Sequence, residues 1–513
     1  MTARRILPIT AAGVAFAAMC GIAALDRAAP GWAGVSDPPA LGPGMVARAL
    51  SSEVPAHPTM SDEIGFYESG LVERGDEEFP RKRLISAHLL RFRAYGDAVD
   101  LEAAERHLTT LETRAQRSPD LLSMRATLDL TSHRFADARK HAAEAVRAAG
   151  LYDPDLILRQ FDALWASGEY ERASKLLELP NDTASVQYLT RQARVLDRSG
   201  HVEEARDRLR EAVAKIRAYA EPPAVLAWAL VELGRFEQHA GDVHRAVELY
   251  LEAIDVLPGS PSALESLAGV AYMVDRDLPA ARELYRRALD HGAHLDVLPV
   301  LADVEEGLGN RDEARRLRDE FVLRATATDA SLDLYRRPLA QLLAESPLGL
   351  CSALELARAD LAQRTDSGAW DTLAWALMRA GDVDAAYEAS KRATSWGAPE
   401  PDVAYRAGSI AAAYGDRERA RELLRVAFEG RTELAPTRVE DLERRLDGPV
   451  EDPPPPTVVE CSAPSSRAAL SPEILDRPSL APTFERMSAT QSLRHHPHRH
   501  DGPTGRVVAG ARR

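Results

Sequence analysis

With 513 residues the chain is longer than one hydrophobic core supports, since single cores stop growing near roughly 250 to 300 residues, so it is multidomain or extended. Hydrophobic residues make up 45 %, charged residues 28 % and aromatics only 6 %, with Ala, Leu, Arg and Glu prominent, a mixture that favours helices over sheets. The formal net charge of -15, with no long basic stripe, excludes a general nucleic-acid binder and leaves proteins or peptides as the expected partners.

The first element is "MTARRILPITAAGVAFAAMCGIAAL", two arginines followed by an uncharged apolar run over residues 6–25. A positive start and an apolar stretch of this length predict export, either by a signal peptide cut at about Ala33 or by an N-terminal membrane anchor, and both readings stay open for 1–33. Cys20 adds a lipid-anchor reading that Met19 disfavours, because bacterial lipoprotein signals usually carry a small residue there. Residues 34–62 are rich in Pro, Gly, Ala and Ser and are expected to be a flexible spacer.

Residues 63–447 are expected to form one helical solenoid, and within it, over roughly 85–430, the chain repeats. "GEYERASKLLEL", "GHVEEARDRLREAV", "GDVHRAVELYLEAI", "GNRDEARRLRDEF", "GDVDAAYEASKRAT" and "GDRERARELLRVAF" each place a turn before an amphipathic helix. Aligned on the alanine after the turn, the marker falls at Ala138, Ala173, Ala205, Ala246, Ala281, Ala314, Ala386 and Ala420, with spacings of 35, 32, 41, 35, 33, 72 and 34. Degenerate units at Ala104 and Ala353 extend the series and split the gap of 72. In the unit at Ala246, Leu233 and Gly234 take a small-residue site on the first helix, Tyr250 an aromatic site and Pro258 the stop. Small residues let paired helices approach, turn glycines adopt backbone angles costly elsewhere, and an Asp after the glycine caps the second helix.

A 34-residue helix-turn-helix period with these residue types resembles the tetratricopeptide repeat. The last units, from Trp370 to Phe428, look like those ending exported bacterial tetratricopeptide proteins of unassigned chemistry. The resemblance implies an all-α fold, an α-solenoid of nine or ten stacked hairpins wound in a right-handed superhelix, with disordered termini. Its concave side would come from the first helix of each hairpin. On that alignment the groove candidates are Asp162, Trp165, Arg194, Arg198, Trp228, Arg235, His239, Met273, Trp375, Arg379 and Tyr405. Aromatics and arginines are types enriched at binding hot spots. The Lys and Asn pattern of carboxylate-clamp members is missing.

Residues 448–513 lose the helical period and are expected to be a disordered tail with four consecutive prolines. Within it His495, His496, His498 and His500 are weak metal candidates, since no further ligands complete a site. Cys351 reads as a packing residue and Cys461 as incidental. No phosphate loop, zinc-helix motif, Cys-x-x-Cys or nucleophile elbow occurs, so no cofactor is implied and no enzyme is expected. The expected role is a non-catalytic interaction scaffold of the bacterial cell envelope, exported and periplasmic or extracytoplasmic. An accessory subunit with a metal-binding tail and a self-associating structural spacer are the alternatives. Monomer and homo-oligomer both fit.

Overall fold

A computed structural model describes residues 39–447, apart from 52–57, 75–77, 97, 115–117, 151, 180–184, 220–222, 347 and 398. The apolar run at 6–25 and the histidines at 495–500 lie outside the described residues. Two helices, α1 (Pro43–Ser51) and α2 (Pro58–Arg74), precede the repeats. Five hairpins follow: α3 (Glu78–Tyr95) with α4 (Ala98–Arg114), α5 (Pro119–Thr131) with α6 (Phe135–Ala149), α7 (Pro154–Ala166) with α8 (Tyr170–Leu177), α9 (Val186–Arg198) with α10 (Val202–Ala218), and α11 (Pro223–His239) with α12 (Val243–Val256). Five more complete the stack: α13 (Pro261–Gly269) with α14 (Leu278–Asp290), α15 (Val297–Gly307) with α16 (Arg311–Ala325), α17 (Asp329–Ala344) with α18 (Leu350–Gln363), α19 (Ser367–Arg379) with α20 (Val383–Ala393), and α21 (Pro401–Tyr414) with α22 (Arg417–Glu429). Helix α23 (Pro436–Asp447) closes the series, and no strand occurs among the described residues.

The register is fixed by the marker alanines. All ten, from Ala104 to Ala420 and including the two degenerate units, are at most 1 % exposed. Each sits on the second helix of its hairpin, where a larger side chain would push the first helix away. The small-residue site is equally tight. A Cβ on Gly234 of α11 would fall 2.4 Å from the Tyr250 ring of α12. The aspartates that follow turns behave as caps: Asp242, Asp277, Asp382 and Asp416 each accept from the backbone N–H three residues on.

The stack comes round onto itself. The His133 ring donates through Nδ1 to the Leu334 carbonyl at 3.0 Å, the Thr365 amide to the Ser167 carbonyl at 2.9 Å, and Gln238 to the Thr432 carbonyl at 3.4 Å. These partners are 201, 198 and 194 residues apart. A near-constant offset close to six repeat periods means that one turn of the superhelix rests on the next. An open solenoid would make no such contacts, because each repeat there touches only its neighbours.

Aromatic and ionic groups line this seam. Tyr170 stacks on Trp396 with ring centroids 4.5 Å apart, and Trp165 meets both rings edge-on. The Arg198 guanidinium lies 5.0 Å above the Tyr170 ring and 3.6 Å from Glu400. His239 pairs with Glu433 at 2.9 Å, and that hydrogen bond raises its pKa to about 8.

The expected spacer is corrected from residue 39 onward. Asp275 accepts from the Ala40 and Leu41 amides, both at 2.8 Å, and α1 packs against α12 and α14 with Ala49 wholly buried. Val46, Ala49 and Leu50 fall on one helical face, a short amphipathic signal that the surrounding Pro and Gly obscured. Cys351 also differs from the packing role expected of it. It is disulfide-bonded, and both other cysteines of the chain lie outside the described residues.

Candidate functional site

First helices of successive hairpins turn one face inward, and from α11 to α21 these faces wall a hollow of about 1300 Å³. The chain after α22, including Glu433 and Arg438, closes one side. The helical period explains the placement. On α11, Trp228, Glu232, Arg235 and His239 recur at steps of four, three and four, so they share one stripe. Arg235 faces the hollow, His239 reaches the seam, and Trp228 stands 42 % exposed. A π-helical turn, Val270–Val274, follows α13 and carries Tyr272 and Met273 into the hollow wall.

Four of the candidates predicted from sequence come together here: Arg235, Met273, Trp375 and Tyr405. Trp375 donates its indole N–H to Glu345 at 2.8 Å, and the Tyr405 hydroxyl donates to Asp441 at 2.9 Å. Arg379 lies beside the same Glu345 and donates to the Ala344 carbonyl at 3.3 Å. The others lie elsewhere. Trp165, Arg198 and His239 are engaged in the seam, Asp162 is held by Arg191 of the next hairpin, and Arg194 is half-buried on α9.

Sequence reading missed the acidic side chains. Glu265, Asp296, Asp303, Asp319 and Glu345 all face the hollow. Carboxylates alternating with arginines read as solvated helix exteriors, and most are, but Glu265 lies on the first helix of its hairpin at a groove position. That placement was the available signal. Burial lifts the Glu265 carboxyl to about 7, with Asp296 adding to the rise and Arg235 opposing it. Burial likewise raises Asp296 and Asp303. Arg318 relieves Asp303 at 2.8 Å and also pairs with Glu306 at 2.6 Å.

The Glu265 shift has a stability consequence. The folded carboxyl, facing Asp296, Arg235 and the Tyr285 ring, holds its proton more tightly than the unfolded chain does, so stability is lost as pH rises from 4.5 through about 7. Glu265→Gln removes that loss. The variant should gain on the order of 2 kcal/mol at pH 8, allowing for water in the hollow, and nothing near pH 4.5. Denaturant unfolding followed by circular dichroism at both pH values measures this, and an equal gain at both would refute it.

Among the described residues no group of His, Cys, Asp or Glu side chains is arranged to hold a metal ion. No described helix is long and apolar enough to cross a membrane. No protein-family model matches the sequence, and no curated protein does. Among solved structures the chain is similar to "Crystal Structure of the Yeast Tom70", at 12 % identity over 75 % of this chain and 91 % of that one, with a TM-score of 0.31. It is also similar to the "APC/C hetero-tetramer Cut9-Hcn1", at 14 % identity over 76 % of this chain and 68 % of that one, with a TM-score of 0.39. Likeness at this level carries no argument about activity or partners. The buried markers and paired helices of the chain itself make it a tetratricopeptide-like helical repeat fold.

Proposed function

We propose that the chain is a non-catalytic scaffold that binds a polypeptide segment in the hollow walled by its first helices. The observation that carries this reading is a cavity of about 1300 Å³ bordered by Trp375, Tyr405, Met273 and Arg235, with neither His, Cys nor Lys in its lining. Aromatic faces suit the side chains, and the Arg235 fork the carbonyls, of a bound peptide. A hollow built from several hairpins lets each repeat add contacts without disturbing a core. The arginines and apolar run at the N-terminus support an exported protein acting in the bacterial envelope.

Full-length protein carrying a photo-crosslinker at Met273 should capture a polypeptide, and the same crosslinker at Glu248 on the exposed face of α12 should not. Arg235→Ala with Trp375→Ala should lower capture at least fivefold while helical content is kept, because truncating an anchor residue costs about 1 to 2 kcal/mol or more. Equal capture from both positions, or no effect of the double variant, would contradict the hollow as the binding surface. Capture of nothing but a second copy would favour the structural-spacer alternative.

A further inference from the structure

The hollow is short of positive charge. Seven carboxylates and four guanidiniums line it, and the guanidiniums are largely spoken for. Arg406 is held by Asp371 and Asp402, Arg438 by Asp402, and Arg318 by Asp303 and Glu306. Arg235 makes its ion pair with Glu232, outside the lining. Glu265, Asp296 and Asp319 are left without an ion-pair partner among the described residues. Burial, with the Asp296 charge beside it, lifts the Glu265 carboxyl to about 7, and a cation placed in the hollow would oppose that rise.

The chain carries such a cation. Its last 28 residues contain six arginines, four histidines and a single acidic residue, Asp501, although the whole chain has a net charge of -15. The helix that leads out of the described fold toward this segment starts at the hollow. Thr437 and Arg438, at the start of α23, line the wall, and α23 ends at Asp447, about 15 Å further on at 1.5 Å per residue. Between Asp447 and Arg486 lie 38 residues. Even as a coil such a length has a root-mean-square span of about 34 Å, enough to lead back to the mouth.

We propose that residues 486–513 are an intramolecular occupant of the hollow, with their arginines set against Glu265, Asp296 and Asp319. This rests on the hollow being the binding surface and gives the chemistry of its ligand: an arginine-rich extended segment. Tethering makes the segment a competitor present at an effective concentration in the millimolar range, so any external partner binds by displacing it. The histidines at 495–500, which the metal reading leaves without a complete ligand set, add charge to the segment as they protonate.

The test uses full-length protein with the photo-crosslinker at Met273, illuminated alone at low concentration, followed by peptide mapping. An intramolecular adduct within 486–513 is expected. It should fall at least fivefold in Glu265→Gln with Asp296→Asn, and equally in Arg494→Gln with Arg499→Gln, a pair outside the folded repeats. It should also fall as salt rises from 50 to 500 mM, conditions chosen because screening lengths shrink from about 14 to about 4 Å across them. An adduct in another segment, an adduct indifferent to the charge changes, or one formed only between two copies overturns the proposal. If an external polypeptide crosslinks at Met273 and the tail does not, the tail proposal fails and the hollow stands. If nothing crosslinks there under any condition, both fail.

Discussion

Alanine at Gly397 is expected to unlatch the superhelix, whereas alanine at Gly200 should leave it closed. Both glycines have positive φ, 68° and 83°, so both substitutions carry backbone strain of about 1 kcal/mol. Only Gly397 has a neighbour across the seam. A Cβ there would lie 2.0 Å from the Arg198 carbonyl oxygen, a backbone atom that cannot move aside, while a Cβ on Gly200 meets nothing within 4 Å. Gly168 behaves like Gly397, its Cβ falling 2.5 Å from the Asp366 amide nitrogen. Gly397→Ala and Gly168→Ala should each cost about 2 to 4 kcal/mol and expand the protein, since overpacking against backbone adds to the strain. Unfolding curves and the scattering radius report both effects. Equal behaviour of Gly200→Ala and Gly397→Ala would show that the turns do not touch.

The second large effect is expected at Arg406. Its side chain crosses from α21 to Asp371 on α19, with Nε 2.9 Å from one carboxylate oxygen, and the two residues are 7 % and 2 % exposed. Arg406→Met strands a buried carboxylate and should cost about 3 to 5 kcal/mol at pH 8. The loss should shrink as pH falls. Burial already raises the Asp371 carboxyl, and a carboxyl whose folded pKa is raised loses stability as pH rises through it, so acid restores what the missing cation took away. Adding Asp371→Leu should recover most of the loss, because a hydrophobic pair of similar volume replaces a buried ion pair at little cost. An Arg406→Met defect that is independent of pH would mean that packing, and not charge, is what the pair supplies.

Much of the architecture was legible in the sequence because repeats state their own register. Ala104 and Ala353 stand out as markers only through their spacing from better units, and both are wholly buried. Residue type alone assigns Leu233 and Gly234 to the small-residue site of the first helix, and Gly234 lies under Tyr250. What sequence did not show was closure. A period gives the contacts between neighbouring hairpins, but the seam depends on small rotations accumulated over six of them, which no local pattern encodes. Trp165, Arg198 and His239 were therefore expected in the groove, and they hold one turn to the next instead. The hollow's acidity was hidden for a related reason. Glu265 resembles the many carboxylates that pair on exposed helix faces, such as Glu248 with Arg245, and only its place on the first helix of its hairpin marks it as facing inward.

The central claim is that the superhelix closes turn on turn around the hollow. Pulsed electron resonance between spin labels at Glu171 and Ser395 tests it most directly, because these positions flank the stacked rings of Tyr170 and Trp396. A closed superhelix should give a distance near 20 Å, about the sum of two label lengths and a ring stack. An open solenoid, with six hairpins between the labels at about 10 Å each, would give roughly 40 to 60 Å. A distribution centred in that longer range would contradict the closed architecture and the shape of the hollow with it.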